Sequence, residues 1–224
     1  MVIKIFYVGS KVLPNKIFYN KFNLMIRNRF KFLLYLSLLF ITSCISAPRD
    51  TSNTCLMFTD NYFWYKFVKN SEKKWGAPIE LQMAIIQRES DFDWLAAPEW
   101  DKLFKVIPYK RKSSAFGYSQ AINKTWDQFV RETDQPLALR ISFNDSVDFI
   151  GWYINKSSQL LKISKDDYFK QYIAYHEGWG NFKDYKKSPK VIPYAREVER
   201  VAKKYKAQLN QCKNQLTTNK YFIY

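Results

Sequence analysis

Between residues 59 and 212 the apolar positions recur every three to four residues, in blocks separated by short polar stretches. That spacing is the helical one. Trp64, Phe67, Val68 and Trp75 form one such stripe, with Thr59 or Asp60 placed to cap it. Residues 78–89 form a denser apolar run that opens at Gly76-Ala77-Pro78. Pro78 suits the first helical position, where its missing N–H costs nothing. Thr125 precedes Trp126, Phe129 and Val130, and Asn144-Asp145 precede Val147, Ile150 and Ile154. Ser164-Lys165-Asp166-Asp167 has the composition of a helix start and leads into Tyr168, Tyr172 and Ile173. A last stripe, Val198, Val201, Ala202, Tyr205 and Leu209, follows Pro193. No alternating run of strand length interrupts these blocks, although residues 106–118 have room for a small hairpin. The pattern predicts an all-α, mainly helical domain over residues 59–212. Residues 44–58 read as a linker and residues 213–224 as a loose tail.

The pattern changes before residue 44. Residues 1–24 are basic and apolar without a period and read as an over-long extension, with Met25 as the expected start. From there Arg27, Arg29 and Lys31 precede the apolar run Phe32-Leu33-Leu34-Tyr35-Leu36-Ser37-Leu38-Leu39-Phe40-Ile41. A run of this length falls short of the ~20 residues of a membrane span and within the range of a signal peptide, here residues 25–43. It ends in Ile41-Thr42-Ser43-Cys44, which resembles a bacterial lipobox. That resemblance makes Cys44 the lipidated first residue of an exported protein, anchored to the outer membrane on its periplasmic side. An ordinary signal peptide with an incidental cysteine is the other reading.

This partition revises the charge. The whole chain of 224 residues has 36 basic and 20 acidic residues, net +16. Residues 1–44 hold seven of the basic residues and no acidic one, so their removal leaves 29 against 20, net +9. A basic exported chain meets anionic lipid and cell-wall carboxylates. Export and the lack of a compact Lys/Arg stripe argue against nucleic acid. Aromatic residues make up 18% of the chain, enough to line a carbohydrate cleft as well as to fill a core.

Chemistry concentrates at Met83-Ala84-Ile85-Ile86-Gln87-Arg88-Glu89-Ser90. At about 100° per residue Gln82, Ile85, Ile86 and Glu89 share one face. Glu89 then sits in the last turn of a mostly buried helix. Burial and the partial negative charge of a helix C-terminus both raise a carboxyl pKa. A carboxyl protonated near neutral pH is what a general acid needs. Taken alone, the segment reads better as a Glu at a frayed helix end, exposed and paired with Arg88 or a lysine.

Two further stretches follow it: Ser113-Ser114-Ala115-Phe116-Gly117-Tyr118-Ser119-Gln120-Ala121, and Ala174-Tyr175-His176-Glu177-Gly178. With Glu89-Ser90 they resemble, in order and spacing, the lytic transglycosylase (SLT-type) domain of the lysozyme-like superfamily. That family has Glu-Ser at a helix end, then Gly-x-x-Gln after small residues, then an Ala-Tyr-Asn-Ala-Gly-like segment. The resemblance spans roughly residues 60–205 and implies a lysozyme-like fold. It further implies cleavage of the MurNAc–GlcNAc β-1,4 bond of peptidoglycan, with 1,6-anhydro-MurNAc ends. Most glycosidases use two carboxylates, whereas this family uses one, aided by the sugar's own N-acetyl group. The analogy makes Glu89 the catalytic acid and then base, with Ser90, Tyr118, Gln120 and Tyr175 binding substrate. It implies glycan strands as partner, a monomer, and neither metal nor organic cofactor.

Two departures qualify the match. His176-Glu177 replaces Asn-Ala, and an aromatic insert at residues 98–112 separates the first two motifs. Glu177 is the candidate second carboxylate: placed across a cleft it would activate water and make a muramidase-type hydrolase. The alternative pairs it with His176, or both with Arg88, as a brace. A non-catalytic peptidoglycan-binding lipoprotein is the remaining reading. The insert either caps one end of the cleft or packs as a satellite core. Asp91 and Asp93 fit the turn after the helix.

Cys55 and Cys212 remain once Cys44 is assigned to lipid, and in an exported protein two such cysteines are disulfide candidates. Cys212 continues the series Val198, Tyr205, Cys212 on an apolar helix face. A bridge would close a loop worth roughly 4–5 kcal/mol by chain entropy. Two buried free thiols are the alternative. A single His and no close Cys pair argue against a metal site.

Overall fold

The computed structural model describes residues 47–104, 106–187 and 190–218. The extension at 1–24, the signal segment at 25–43 and the lipidation cysteine Cys44 lie outside the described residues. Those described form seven α-helices, one 3-10 turn and one two-stranded hairpin. In chain order they are α1 (Thr54–Asp60), α2 (Tyr62–Trp75), α3 (Ile79–Ser90), β1 (Trp100–Leu103), β2 (Ile107–Arg111), α4 (Asn123–Thr133), α5 (Phe143–Leu161), α6 (Tyr168–Glu177), the 3-10 turn Phe182–Lys187 and α7 (Val191–Thr218). The fold is mainly α and lysozyme-like. None of the described helices is long and apolar enough to cross a membrane.

The centre is α3. Ile79 to Ile86 are buried without a break, so this helix is surrounded rather than laid on a core. Pro78 is its N-cap, one position before the expected one. Against it lies α7, whose 28 residues span about 42 Å; α7 also packs on α6 and α1. On the other side α2 packs on α5. That crossing is close because Gly151 has no side chain: a Cβ there would come within 2.3 Å of Ser71 Oγ and 2.6 Å of Trp75. Ser71 Oγ uses the proximity to donate to the Val147 carbonyl at 2.8 Å.

Three helices start on a polar side chain, while the starts expected at Thr59 or Asp60, at Thr125 and at Asn144-Asp145 fall instead at Asn61, Ile122 and Ser142. Asn53 accepts from the N–H groups of Cys55 and Leu56, Ser142 from Asp145 and Asp167 from Lys170. These bonds satisfy donors that a helix leaves open at its first turn. Asn53 also corrects the expected linker at 44–58. Residues from Thr54 onward are helical, and the segment is tied to α7 over long range. Thr54 N–H donates to Gln208 Oε1 at 3.0 Å, Tyr205 donates its hydroxyl to the Thr51 carbonyl, and Cys55 is joined to Cys212 with Cα atoms 6.1 Å apart. The expected tail is corrected over residues 213–218 as well. Helix α7 continues to Thr218, with Cys212 and Leu216 buried.

The insert folds as the β1–β2 hairpin, with Trp100 opposite Arg111 and a bulge between Asp101 and Lys102. Trp100, Phe104, Val106 and Tyr109 are exposed. The satellite-core reading of these aromatics is therefore corrected.

Candidate active site

Helix α3 ends in two successive left-handed residues, Asp91 at φ 46° and Phe92 at φ 62°. Side-chain-bearing residues avoid this region; here the reversal is held by the burial of Phe92, which stacks on Trp64 with ring centroids 5.6 Å apart. Asp93 accepts from the Leu95 N–H at 2.9 Å, the turn-fixing role expected of it. The chain leaves the helix abruptly, and Glu89 is left at the edge of a cleft.

That cleft encloses about 220 Å3 and is lined by Glu89, Gln120, Ile122, Thr125, Tyr153 and Tyr175, with His176, Glu177 and Gly178 at one side. All three motifs reach it. Burial pushes the Glu89 carboxyl above its ordinary range; a hydrogen bond from Tyr172 and the charges of His176 and Arg88 pull the other way with less effect. Tyr172 donates its hydroxyl to Glu89 Oε1 at 3.0 Å. Arg88 does not pair with Glu89. It lies over the Tyr194 ring at 3.9 Å and reaches Glu197 at 3.6 Å.

The second motif is a tight loop. Gly117 has φ 73°, and a Cβ there would stand 2.1 Å from the Arg140 carbonyl oxygen, so only glycine fits. The close neighbour is backbone, not a ligand. Arg140 completes the clamp by donating to the carbonyls of Ser114 and Ala121. Gln120, at φ 47°, lines the cleft. Its amide nitrogen donates to the carbonyls of Ala96 and Gly117 at 2.8 and 2.9 Å. The amide oxygen is left to accept from a bound group.

Two expected substrate contacts are corrected. Tyr118 is only 1% exposed. Its ring meets Trp64 and Phe143 edge-on in the core, because the turn at Gly117 directs it inward. Ser90 does not line the cleft either. Its hydroxyl is shared between the Ile86 carbonyl at 3.2 Å and the Tyr118 carbonyl at 2.9 Å. Ser90 thus fastens the end of α3 to the Gly117 loop and fixes the position of Glu89 beside it.

Tyr175 makes the matching tie from α6. It lines the cleft with its ring and donates its hydroxyl to the Ser119 carbonyl at 2.6 Å. Burial raises its pKa well above the ordinary tyrosine value, so the phenol stays neutral and keeps this bond. Tyr153 packs on Tyr175 at 5.0 Å and stacks on Trp179 at 4.6 Å. It donates its own hydroxyl to the Ala174 carbonyl.

Glu177 lines the same cleft as Glu89, and its Oε1 pairs with His176 Nδ1 at 3.0 Å. The expected pairing of His176 with Glu177 is present, while neither of them has Arg88 as an ion-pair partner. Among the described residues no group of His, Cys, Asp and Glu is arranged to hold a metal ion.

Tyr172, Tyr153 and Thr125 are site residues that the motifs did not name. Tyr172 lies one helical turn before Tyr175, which is the signal by which it is recognisable. A larger cavity, about 360 Å3, lies near Glu80, Lys206 and Lys213. Its buried carboxylate, Glu80, accepts from Tyr168 at 2.6 Å and pairs with Lys206 at 3.3 Å. None of the three motifs reaches that cavity, so the Glu89 cleft is the active-site candidate despite its smaller volume.

A family model described as a transglycosylase SLT domain matches residues 32–212, the greater part of the chain. No curated protein matches it.

Proposed function

The chain belongs to the transglycosylase SLT domain family, whose activity is peptidoglycan cleavage, and we propose that it is a lytic transglycosylase cutting the MurNAc–GlcNAc β-1,4 bond. The observation that carries this reading is Glu89, a carboxyl whose pKa burial raises, at the rim of a cleft where three motifs meet. Cleaving a glycosidic bond requires a proton for the leaving oxygen and stabilisation of an oxocarbenium-like centre. Glu89 supplies the proton. The developing positive centre is met by the substrate's own acetamido oxygen. The carboxylate left on Glu89 then accepts the proton of the C6 hydroxyl as that oxygen closes on C1, giving a 1,6-anhydro end. Tyr172 stabilises the carboxylate form through its hydrogen bond. Gln120 offers its amide oxygen to an N–H or hydroxyl of the sugar.

Glu177 favours a second reading. Its carboxylate faces the same cleft, and a carboxylate across from the acid is what activates water in a hydrolase. The pair with His176 at 3.0 Å supports the brace instead. Incubating the protein with isolated sacculi and weighing the fragments separates the two readings. Anhydro ends are lighter than reducing ends by one water. Reducing ends throughout would replace transglycosylation by hydrolysis, and binding without fragments would leave a non-catalytic wall-binding protein.

The proposed setting is the bacterial envelope, with the protein exported by residues 25–43 and anchored through lipid on Cys44. The support is the sequence pattern around Ile41-Thr42-Ser43-Cys44. Cys44→Ala should abolish acylation, and acylation persisting in that variant would remove the proposal.

A further inference from the structure

The β1–β2 hairpin has no part in the Glu89 cleft, yet it carries the densest group of exposed apolar side chains on a short segment. Phe104 is 82% exposed, Val106 74%, Tyr109 70% and Trp100 47%. Phe104 sits at the turn with φ 51°, so Phe104 and Val106 lie at the tip while Trp100 and Tyr109 lie on the strands below. Lys102, Lys110, Arg111 and Lys112 accompany them. None of these four is in an ion pair among the described residues, and Arg111 lies over the Trp100 ring at 4.8 Å. Against them stand only Glu99 and Asp101.

Phe104 and Val106 are outermost, Tyr109 and Trp100 follow along the strands, and the cations lie beside them: Lys102 opposite Pro108, Lys110 opposite Asp101, Arg111 opposite Trp100 and Lys112 just beyond. A lipid interface has the same order, with acyl chains innermost, then the belt where Trp and Tyr are enriched, then anionic headgroups. A glycan strand fits it less well. Sugars need polar partners for their hydroxyls beside an aromatic face, and neither Phe104 nor Val106 provides one. Exposed apolar groups of this density cost solubility and mark an interaction surface.

We propose that the hairpin is a membrane-contacting loop, whose tip enters the interfacial layer of a bilayer rich in anionic lipid while the four cations hold the headgroups. This contact is separate from any lipid on Cys44 and from cleavage at Glu89. It would hold the catalytic unit at a set orientation to the membrane surface.

The test uses the full chain with Cys44→Ala and Phe104→Cys, carrying an environment-sensitive fluorophore at residue 104. A second probe at Leu160, an exposed position outside the hairpin, serves as control. With phosphatidylglycerol vesicles the emission from residue 104 should shift to the blue and be quenched by a lipid-borne quencher. The Leu160 probe should not respond, and phosphatidylcholine vesicles should give little shift. In the chain without a probe, Val106→Ser with Phe104→Ser should weaken vesicle binding roughly tenfold or more, while cleavage of isolated sacculi is unchanged. An unresponsive probe on anionic vesicles would overturn the proposal. So would a shift produced by sacculi with a matching loss of cleavage in the serine variant, which would assign the hairpin to the glycan.

Discussion

Tyr172 donates its hydroxyl to Glu89 Oε1 at 3.0 Å, across the junction of α6 and α3. The two residues are 83 positions apart in sequence. Burial raises the Glu89 pKa, and this bond is the largest influence opposing it. The pair therefore sets the pH at which the carboxyl exchanges its proton.

Removing the bond should move that pH. Tyr172→Phe keeps the ring and deletes the donor, so the ionised carboxylate loses a stabilising partner and the Glu89 pKa rises further. The basic limb of the cleavage rate against pH should shift to higher pH. An unshifted limb, whatever the rate at its plateau, would mean that Tyr172 only fills space.

The raised pKa also has a signature in stability. In the unfolded chain Glu89 ionises near the usual value of about 4.3, while in the native protein it holds its proton to higher pH. The native state thus binds more protons between the two values, and its stability falls as pH rises through that window. Below the unfolded pKa the penalty is absent. Glu89→Gln does not titrate, so its stability relative to wild type should improve from about pH 3.5 to about pH 7. Urea unfolding at both pH values checks this. A difference independent of pH would show that burial does not perturb the carboxyl.

Tyr118 separates a core role from a contact with substrate. Tyr118→Ala should destabilise the fold by roughly 3–5 kcal/mol, the usual cost of deleting a buried aromatic side chain. Tyr118→Phe should leave KM near wild type. A raised KM in the phenylalanine variant at unchanged stability would return Tyr118 to the cleft.

The helices were legible because a buried stripe imposes a period on the sequence, and the stripes at Trp64, Ile85, Ile150 and Val198 are long. Helix α1 was not, because its seven residues are too few for a period and depend on Gln208 and Cys212 far along the chain. Glu89 was legible because helix end, apolar neighbours and motif order agreed. Ser90 and Tyr118 were misplaced for a common reason. A motif gives residue types, whereas the direction of a side chain depends on backbone turns such as Gly117 that act after the pattern is read. Tyr172 reads in the sequence as one more member of a helical stripe, and only its place one turn before Tyr175 marks it as sharing that residue's face. The hairpin was expected only in part, because its four- and five-residue strands and its bulge break the alternation that marks a strand.

The central claim is that Glu89 carries the proton, and the turnover of Glu89→Gln on isolated sacculi tests it most directly. Glutamine keeps the shape and can still accept from Tyr172, but it cannot supply the proton. The release of fragments should fall by at least about 10²–10⁴-fold, the range of general acid–base catalysis, with sacculus binding retained and the fold intact. Turnover near wild type in the folded variant would contradict the account.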